Sequence, residues 1–225
     1  FFGSGPLHSM PPKKKARPNA CSLPDIEECT PGAFSGAQTD RIRQGLLQWY
    51  TAHHRDLPWR QEGTSSYGVW VSEVMLQQTR VATVVEYWQR WMEAFPTVGA
   101  LAAAPLEKVN ELWSGLGYYR RAAGLHRGAQ KVVADFGGQM PSNVEDLLQI
   151  PGIGPYTAGA IASIAHQRPE AVVDGNVVRV LARLLAWQKA NIKHAHTMRR
   201  CWELARGLVD PQRPVAGGFN QAVME

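Results

Sequence analysis

The chain has 225 residues, 44% of them hydrophobic and 19% charged, with a formal net charge of +5 and a pI near 9.3. That length allows one or two domains with a substantial core; no apolar run is long enough to cross a bilayer as a helix, and the opening FFGSGPLHSM lacks the basic-then-apolar order of a secretory signal. The basic balance favours an anionic partner, nucleic acid first, although many basic proteins bind none, and three cysteines without a CxxC pair (Cys21, Cys29, Cys201) speak against a zinc site or disulfide framework and for a reducing, intracellular setting.

Residues 1–37 hold six of the fifteen prolines and lack hydrophobic periodicity, so they are expected to form a disordered basic tail. Within it, PPKKKARP has the composition of a nuclear import signal, a solvated basic linker being the plainer alternative. The nucleus is the expected compartment, with the mitochondrion a second candidate.

From about Gln38 the pattern becomes one of amphipathic helices, and residues 38–225 are expected to form one all-α core. Ile42, Leu46, Trp49 and Tyr50 share a face behind a cap expected at Thr39 or Asp40. A second run carries Val69, Trp70, Val74, Val81, Val84, Val85 and Trp88. Further helices are expected around Val109–Trp113, Leu125–Phe136 and Leu147–Leu148, then around Ile161–Ile164, Val177–Leu184 and Trp202–Val209. Gly- and Pro-containing loops (FPTVG, WSGLGYY, FGGQMP) separate them, and no alternating strand pattern stands out.

The stretch EDLLQIPGIGPYTAGAIASIA reads as helix, hairpin, helix. Gly152 and Gly154 can take positive φ and let another backbone approach, while Pro155 suits the first turn of the next helix. Backbone N–H groups left at that helix N-terminus make a natural phosphate site, a contact that positions a duplex without reading its sequence. A tight interhelical turn without a ligand is the alternative.

LLQIPGIGPYTAGAIA followed by VVDGNVVRVLAR resembles the helix–hairpin–helix DNA glycosylase superfamily. With VWVSEVMLQQTRVATV and LWSGLGYYRRAAGLH, the chain is similar to the MutY-type adenine DNA glycosylases, which remove adenine mispaired with 8-oxoguanine. The resemblance runs from the helix near Asp40 to FNQAVME and implies a helical fold acting on double-stranded DNA with A:8-oxoguanine or A:G mispairs. A monomer without membrane contacts is expected, with replication or repair proteins as further candidate partners.

Breaking a purine N-glycosidic bond calls for a protonated acid at the leaving base and a negative charge near the oxocarbenium-like sugar. By resemblance Glu73 is the acid, protonating adenine at N7, and Asp174 stabilises the sugar, as a charge or through a short-lived adduct. On its residues alone, Glu73 reads first as an exposed helix carboxylate, paired with Arg80 or simply solvated, and Asp174 as a helix N-cap. The resemblance implies that Tyr156 and Asn176 line the pocket and orient these carboxyl groups. Tyr156 stands where lyase members carry a Schiff-base lysine, and Val178 where some bacterial relatives have one, so a monofunctional glycosylase is expected. A core aromatic is the plainer reading of Tyr156. The resemblance further implies that Gln77 and Tyr118 enter the base stack and that Arg55, Arg80 and Trp59, in matching segments, touch DNA or base; on its residues alone Tyr118 reads as core or turn packing. His194 and His196 suggest a surface pair, so no metal site is expected.

Family members continue past FNQAVME into a four-cysteine iron–sulfur motif, C-x6-C-x2-C-x5-C, and a Nudix-like domain. Cys21, Cys29 and Cys201 match none of those ligands, so no cofactor is expected in this chain and the 4Fe-4S cluster only in a longer protein. Two rivals stay open: a thymine mismatch glycosylase of the same superfamily, and a non-catalytic helix–hairpin–helix DNA-binding module.

Overall fold

The computed structural model describes residues 34–188, 190–213 and 215–225. The basic cluster PPKKKARP, Cys21 and Cys29 lie outside the described residues. Among those described there is no strand. The elements are α1 (Gly36–His53), a 3-10 turn (Pro58–Arg60), α2 (Ser66–Met75), α3 (Val81–Ala94), α4 (Val98–Ala103) and α5 (Leu106–Trp113). They continue with α6 (Arg120–Phe136), α7 (Val144–Leu147), α8 (Pro155–His166), α9 (Gly175–Leu184), α10 (Ala195–Leu208) and α11 (Ala216–Met224).

Two expectations about boundaries change. Helix α1 starts at Gly36, ahead of the expected cap at Thr39 or Asp40, because Ser35 and Gln38 form a reciprocal capping box. The long apolar run from Val69 to Trp88 is two helices. It breaks at Leu76–Arg80, where Gln78 takes a left-handed conformation (φ 57°), so its apolar periodicity spans a turn that periodicity cannot register.

Two apolar clusters make up the core. The first joins α2 to α7 and holds the fully buried Trp70, Trp91 and Trp113; Trp91 meets Trp113 edge-on at 5.5 Å. The second joins α9, α10 and α11 around Leu181, Leu204 and Phe219, with Ile42, Leu46 and Leu47 of α1 packed on it. Thus α1, first among the described elements, docks on the C-terminal half. Arg43 fixes it by donating to the carbonyls of Leu208 (2.5 Å), Val209 (2.8 Å) and Gly207 (3.3 Å) at the end of α10.

Helix α8 is the wall between the clusters: Ala158, Ile161 and Ala162 face the first and Ala160 the second. A helix apolar on all sides is stable only when enclosed, and small side chains set how closely α8 is approached. A Cβ on Gly159 would lie 2.6 Å from the Ala171 carbonyl oxygen, and one on Gly217 of α11 2.5 Å from that of Ser163. Asn220 adds a buried tie, donating to Ser163 Oγ (2.9 Å) and to the Glu170 carbonyl (2.8 Å). Gly159→Ala should therefore destabilise the chain by about 1–3 kcal/mol through overpacking against backbone that cannot yield, measured as a lower urea midpoint with unchanged slope.

Candidate active site

Where the two clusters meet, a pocket of about 430 Å³ opens between α2, α8, α9 and the chain end. Glu73 comes from α2, whose residues 67–75 are all buried. Ser65 caps this helix by accepting from Gly68 N–H at 3.1 Å, and its apolar surroundings leave Glu73 only 8% exposed. The expected alternative, an exposed carboxylate paired with Arg80, is overturned: Arg80 is exposed at the N-cap of α3, outside the pocket lining.

Burial disfavours the charged form of Glu73 and pushes its pKa up to about 7. The neighbouring Tyr156 hydroxyl and the Arg60 charge pull it down, while the negative charge of Asp174 adds to the rise. Asp174 has the opposite surroundings. Its Oδ1 accepts from the backbone N–H groups of Asn176 (2.9 Å) and Val177 (2.8 Å), and its Oδ2 from Asn176 Nδ2 (2.9 Å). It is both the N-cap of α9 and a pocket residue, so the two readings of this position coincide. Asn176 is held in turn by a hydrogen bond from Arg179 to its Oδ1.

Tyr156, in the first turn of α8, reaches Glu73 and also donates to Met224 Sδ at 3.1 Å. Burial, and then the neighbouring Glu73 charge, raise its pKa well above the ordinary phenol value. Trp59 is buried in the 3-10 turn, edge-on to Trp88 at 6.1 Å, and lines the pocket. Arg55 also lines it, with its fork on Glu225: Nε to Oε1 at 2.7 Å and Nη2 to Oε2 at 2.9 Å.

Arg60 donates to the same Glu225 Oε2 at 2.9 Å. Burial opposes ionisation of Glu225, but the hydrogen bonds from Arg55 and Arg60 prevail and hold its pKa at about 2. Sequence reasoning passed over Arg60 and Glu225. The signal was present in HRDLPWR and FNQAVME, but the pairing spans 165 residues for Arg60 and becomes visible only when α11 is docked.

Gln77, exposed, lines the pocket, and so does Gln78, which the sequence did not single out. Tyr118 lies outside the pocket, 63% exposed, with φ 48°. Gln78 and Tyr118 thus both project from left-handed positions that non-glycine residues seldom occupy.

At the hairpin the two glycines differ, contrary to their equal treatment above. Gly152 has φ 85° and packs against the backbone of Gly124, whose carbon atoms would lie 3.6 Å from its Cβ. Gly154 is extended (φ −100°, ψ 178°) as the N-cap of α8, with open space around it and no side-chain cap. Gly152 also lines a smaller cleft of about 200 Å³ with Gln77, Arg120 and Arg121.

Among the described residues no three His, Cys, Asp or Glu side chains are grouped to hold a metal. Cys201 is buried in the second cluster, its thiol pushed up to about 11 by burial. His194 and His196 are exposed. These residues do not fit an iron–sulfur cluster.

An all-helical fold with a hairpin-led helix and two unlike carboxyl groups in one pocket defines the class of a helix–hairpin–helix protein with acid–base capacity. Residues 71–206 match the HhH-GPD superfamily of base excision DNA repair proteins, and the chain belongs to that family. It is 53% identical over 197 residues to the adenine DNA glycosylase of Rattus norvegicus, covering 84% of this chain and 38% of that protein. To the adenine DNA glycosylase of Homo sapiens it is 47% identical over 242 residues, covering 94% of this chain and 43% of that protein. The chain thus spans about two fifths of the length of these curated relatives. The structure of a thermostable thymine-DNA glycosylase superposes with a TM-score of 0.71 at 26% identity, covering 83% of this chain and 86% of that one.

The raised pKa of Glu73 carries a stability consequence with a definite sign. Relative to an ordinary value of 4.5, a folded-state value near 7 means the folded chain keeps a proton that the unfolded chain releases. Its contribution is intact below pH 4.5 and is lost as pH rises to about 7. Glu73→Gln should therefore gain stability relative to the parent across that window, by up to about 3 kcal/mol above it; urea unfolding at pH 5 and pH 8 measures the difference.

Proposed function

We propose that the chain is the catalytic core of a monofunctional adenine DNA glycosylase acting on adenine opposite 8-oxoguanine or guanine. The observation that carries this reading is the pair of carboxyl groups in one pocket, Glu73 buried and protonated near neutrality and Asp174 held by three N–H donors. Two acidic groups with divergent surroundings are what acid-assisted cleavage of a glycosidic bond requires. The names of the relatives support adenine as the base.

Adenine inside a duplex is out of reach, so it rotates out of the stack into the pocket. Glu73 transfers its proton to N7, the bond from C1′ to N9 breaks, and the base leaves neutral. Asp174 stabilises the positive sugar from the other carboxyl position, and water supplies the hydroxyl at C1′ while its proton restores Glu73. Tyr156 and Asn176 position the two carboxyl groups, and Trp59 with the Arg55–Glu225–Arg60 cluster forms the walls that receive the base. Gln77, Gln78 and Tyr118 face the duplex. The uncapped N-terminus of α8 behind Gly152 and Gly154 binds a phosphate, and the exposed Arg80 at the N-cap of α3 adds a second contact to the DNA.

Single-turnover base release from an A:8-oxoguanine duplex, with A:G and T:G duplexes beside it, tests this reading; the T:G duplex is included because of the thymine-DNA glycosylase neighbour. Release of adenine is expected to slow as pH rises through about 7, where Glu73 loses its proton. Glu73→Gln should retain the duplex yet lose roughly 10²–10⁴-fold in rate. A flat rate at enzyme excess, with DNA still bound in a salt-sensitive way, identifies a binding module instead. Borohydride should trap no adduct at the hairpin, because Tyr156 offers no amine for an imine; a trapped species at that position overturns the monofunctional assignment.

A further inference from the structure

One guanidinium outside the pocket joins the two projecting segments. Arg121, in the first turn of α6, donates through Nη1 to the carbonyls of Val74 (3.1 Å), Met75 (2.9 Å) and Gln77 (2.5 Å). Through Nη2 it donates to Thr79 Oγ1 (3.2 Å) and to the carbonyls of Leu116 (3.1 Å) and Gly117 (3.3 Å). The same group lies over the rings of Trp113 (5.2 Å) and Tyr118 (5.4 Å).

The acceptors fall into two sets. Val74, Met75, Gln77 and Thr79 belong to the C-terminal end of α2 and the turn that carries Gln78. Leu116 and Gly117 belong to the loop that carries Tyr118. Gln78 and Tyr118 hold left-handed backbones that neither residue type favours, so each turn needs external restraint to stay in place. Few side chains other than arginine can supply it, because a planar fork reaches acceptors on two sides at once, whereas an ammonium is a single point.

We propose that Arg121 is a positioning residue that locks the Gln77–Thr79 turn and the Tyr118 loop at one spacing, so that Gln78 and Tyr118 enter the duplex as a single wedge. This rests on the glycosylase reading above. Because the strut also grips the end of the helix bearing Glu73, the wedge and the acid are set by one rigid unit. The wedge then opens the stack at a fixed distance from the proton donor.

The test uses the Glu73→Gln chain, which leaves the duplex intact, and an A:8-oxoguanine duplex with 2-aminopurine next to the target adenine. Emission of 2-aminopurine rises when its neighbour leaves the stack. Arg121→Met is expected to lower the unstacked fraction about tenfold, the loss typical of buried acceptors left without their charged donor. Arg121→Lys should not restore it. The double variant Arg121→Met/Tyr118→Ala should be no worse than the more severe single variant, since both act through one wedge.

Hydrogen exchange on the free chain gives a second readout: amides of residues 77–79 and 116–118 should exchange faster in Arg121→Met, with those of α8 unchanged. Should Arg121→Met fail to fold, Arg121→Lys and Thr79→Val, which removes one acceptor and spares the arginine, carry the same comparison. Full unstacking by the Arg121 variants, rescue by lysine, additive losses with Tyr118→Ala, or unaltered exchange in both segments each overturns the strut. A parent chain that unstacks no duplex defeats the glycosylase reading itself, an outcome distinct from a parent that unstacks and an Arg121 variant that does so equally well.

Discussion

The desolvation of one carboxyl group is the constraint on which the rest of this structure depends. Glu73 keeps its proton up to about pH 7 because α2 is buried among α3, α6 and α8. Were α2 a surface helix, its acid would titrate with ordinary carboxylates and could hold no proton at neutrality. The chain must therefore keep water from a charged residue type while leaving one side open to a ligand. It does so by placing Glu73 at the seam of two apolar clusters, where the second supplies Asp174 and the seam itself becomes the pocket.

Close packing at α8 makes that seam narrow. Gly159 and Gly217 allow backbone from the Ala171 segment and α11 to sit where a methyl group would collide. The approach brings Asp174 and Tyr156 into one pocket with Glu73 and places Met224 against Tyr156 in its lining. Glu225 pairs with both Arg55 and Arg60, of which Arg60 also acts on Glu73, and stays ionised because both arginines donate to it. Small residues in a buried helix and a charge cluster at the pocket rim are thus two parts of one arrangement. The first sets a distance, and the second sets the field across it.

Much of the fold was legible. An all-helical chain, the hairpin, the α6 and α9 faces and the cap at Asp174 all follow from local rules of periodicity and capping. The split of α2 from α3 was not legible, because apolar spacing continues through the turn and a left-handed glutamine has no sequence mark. Nor were the unlike roles of Gly152 and Gly154: both lack a Cβ, and only the backbone of Gly124 beneath Gly152 separates them. Glu73 and Asp174 could be proposed from resemblance, whereas their own residue types pointed to an exposed carboxylate and a helix cap.

By itself the sequence determined most of the helical segments, though not α4, α11 or the break between α2 and α3, as well as where the Gly/Pro hairpin lies and that no lysine stands at Tyr156 or Val178, since these depend on neighbours within a few positions. Only the tertiary structure decided that Glu73 is buried, that Arg55 and Arg60 share Glu225, and that Arg121 joins the turns of Gln78 and Tyr118. Each of these depends on groups tens to more than a hundred residues apart coming within a few ångströms. Desolvation and charge pairing act over such distances in space, and local sequence carries no measure of them.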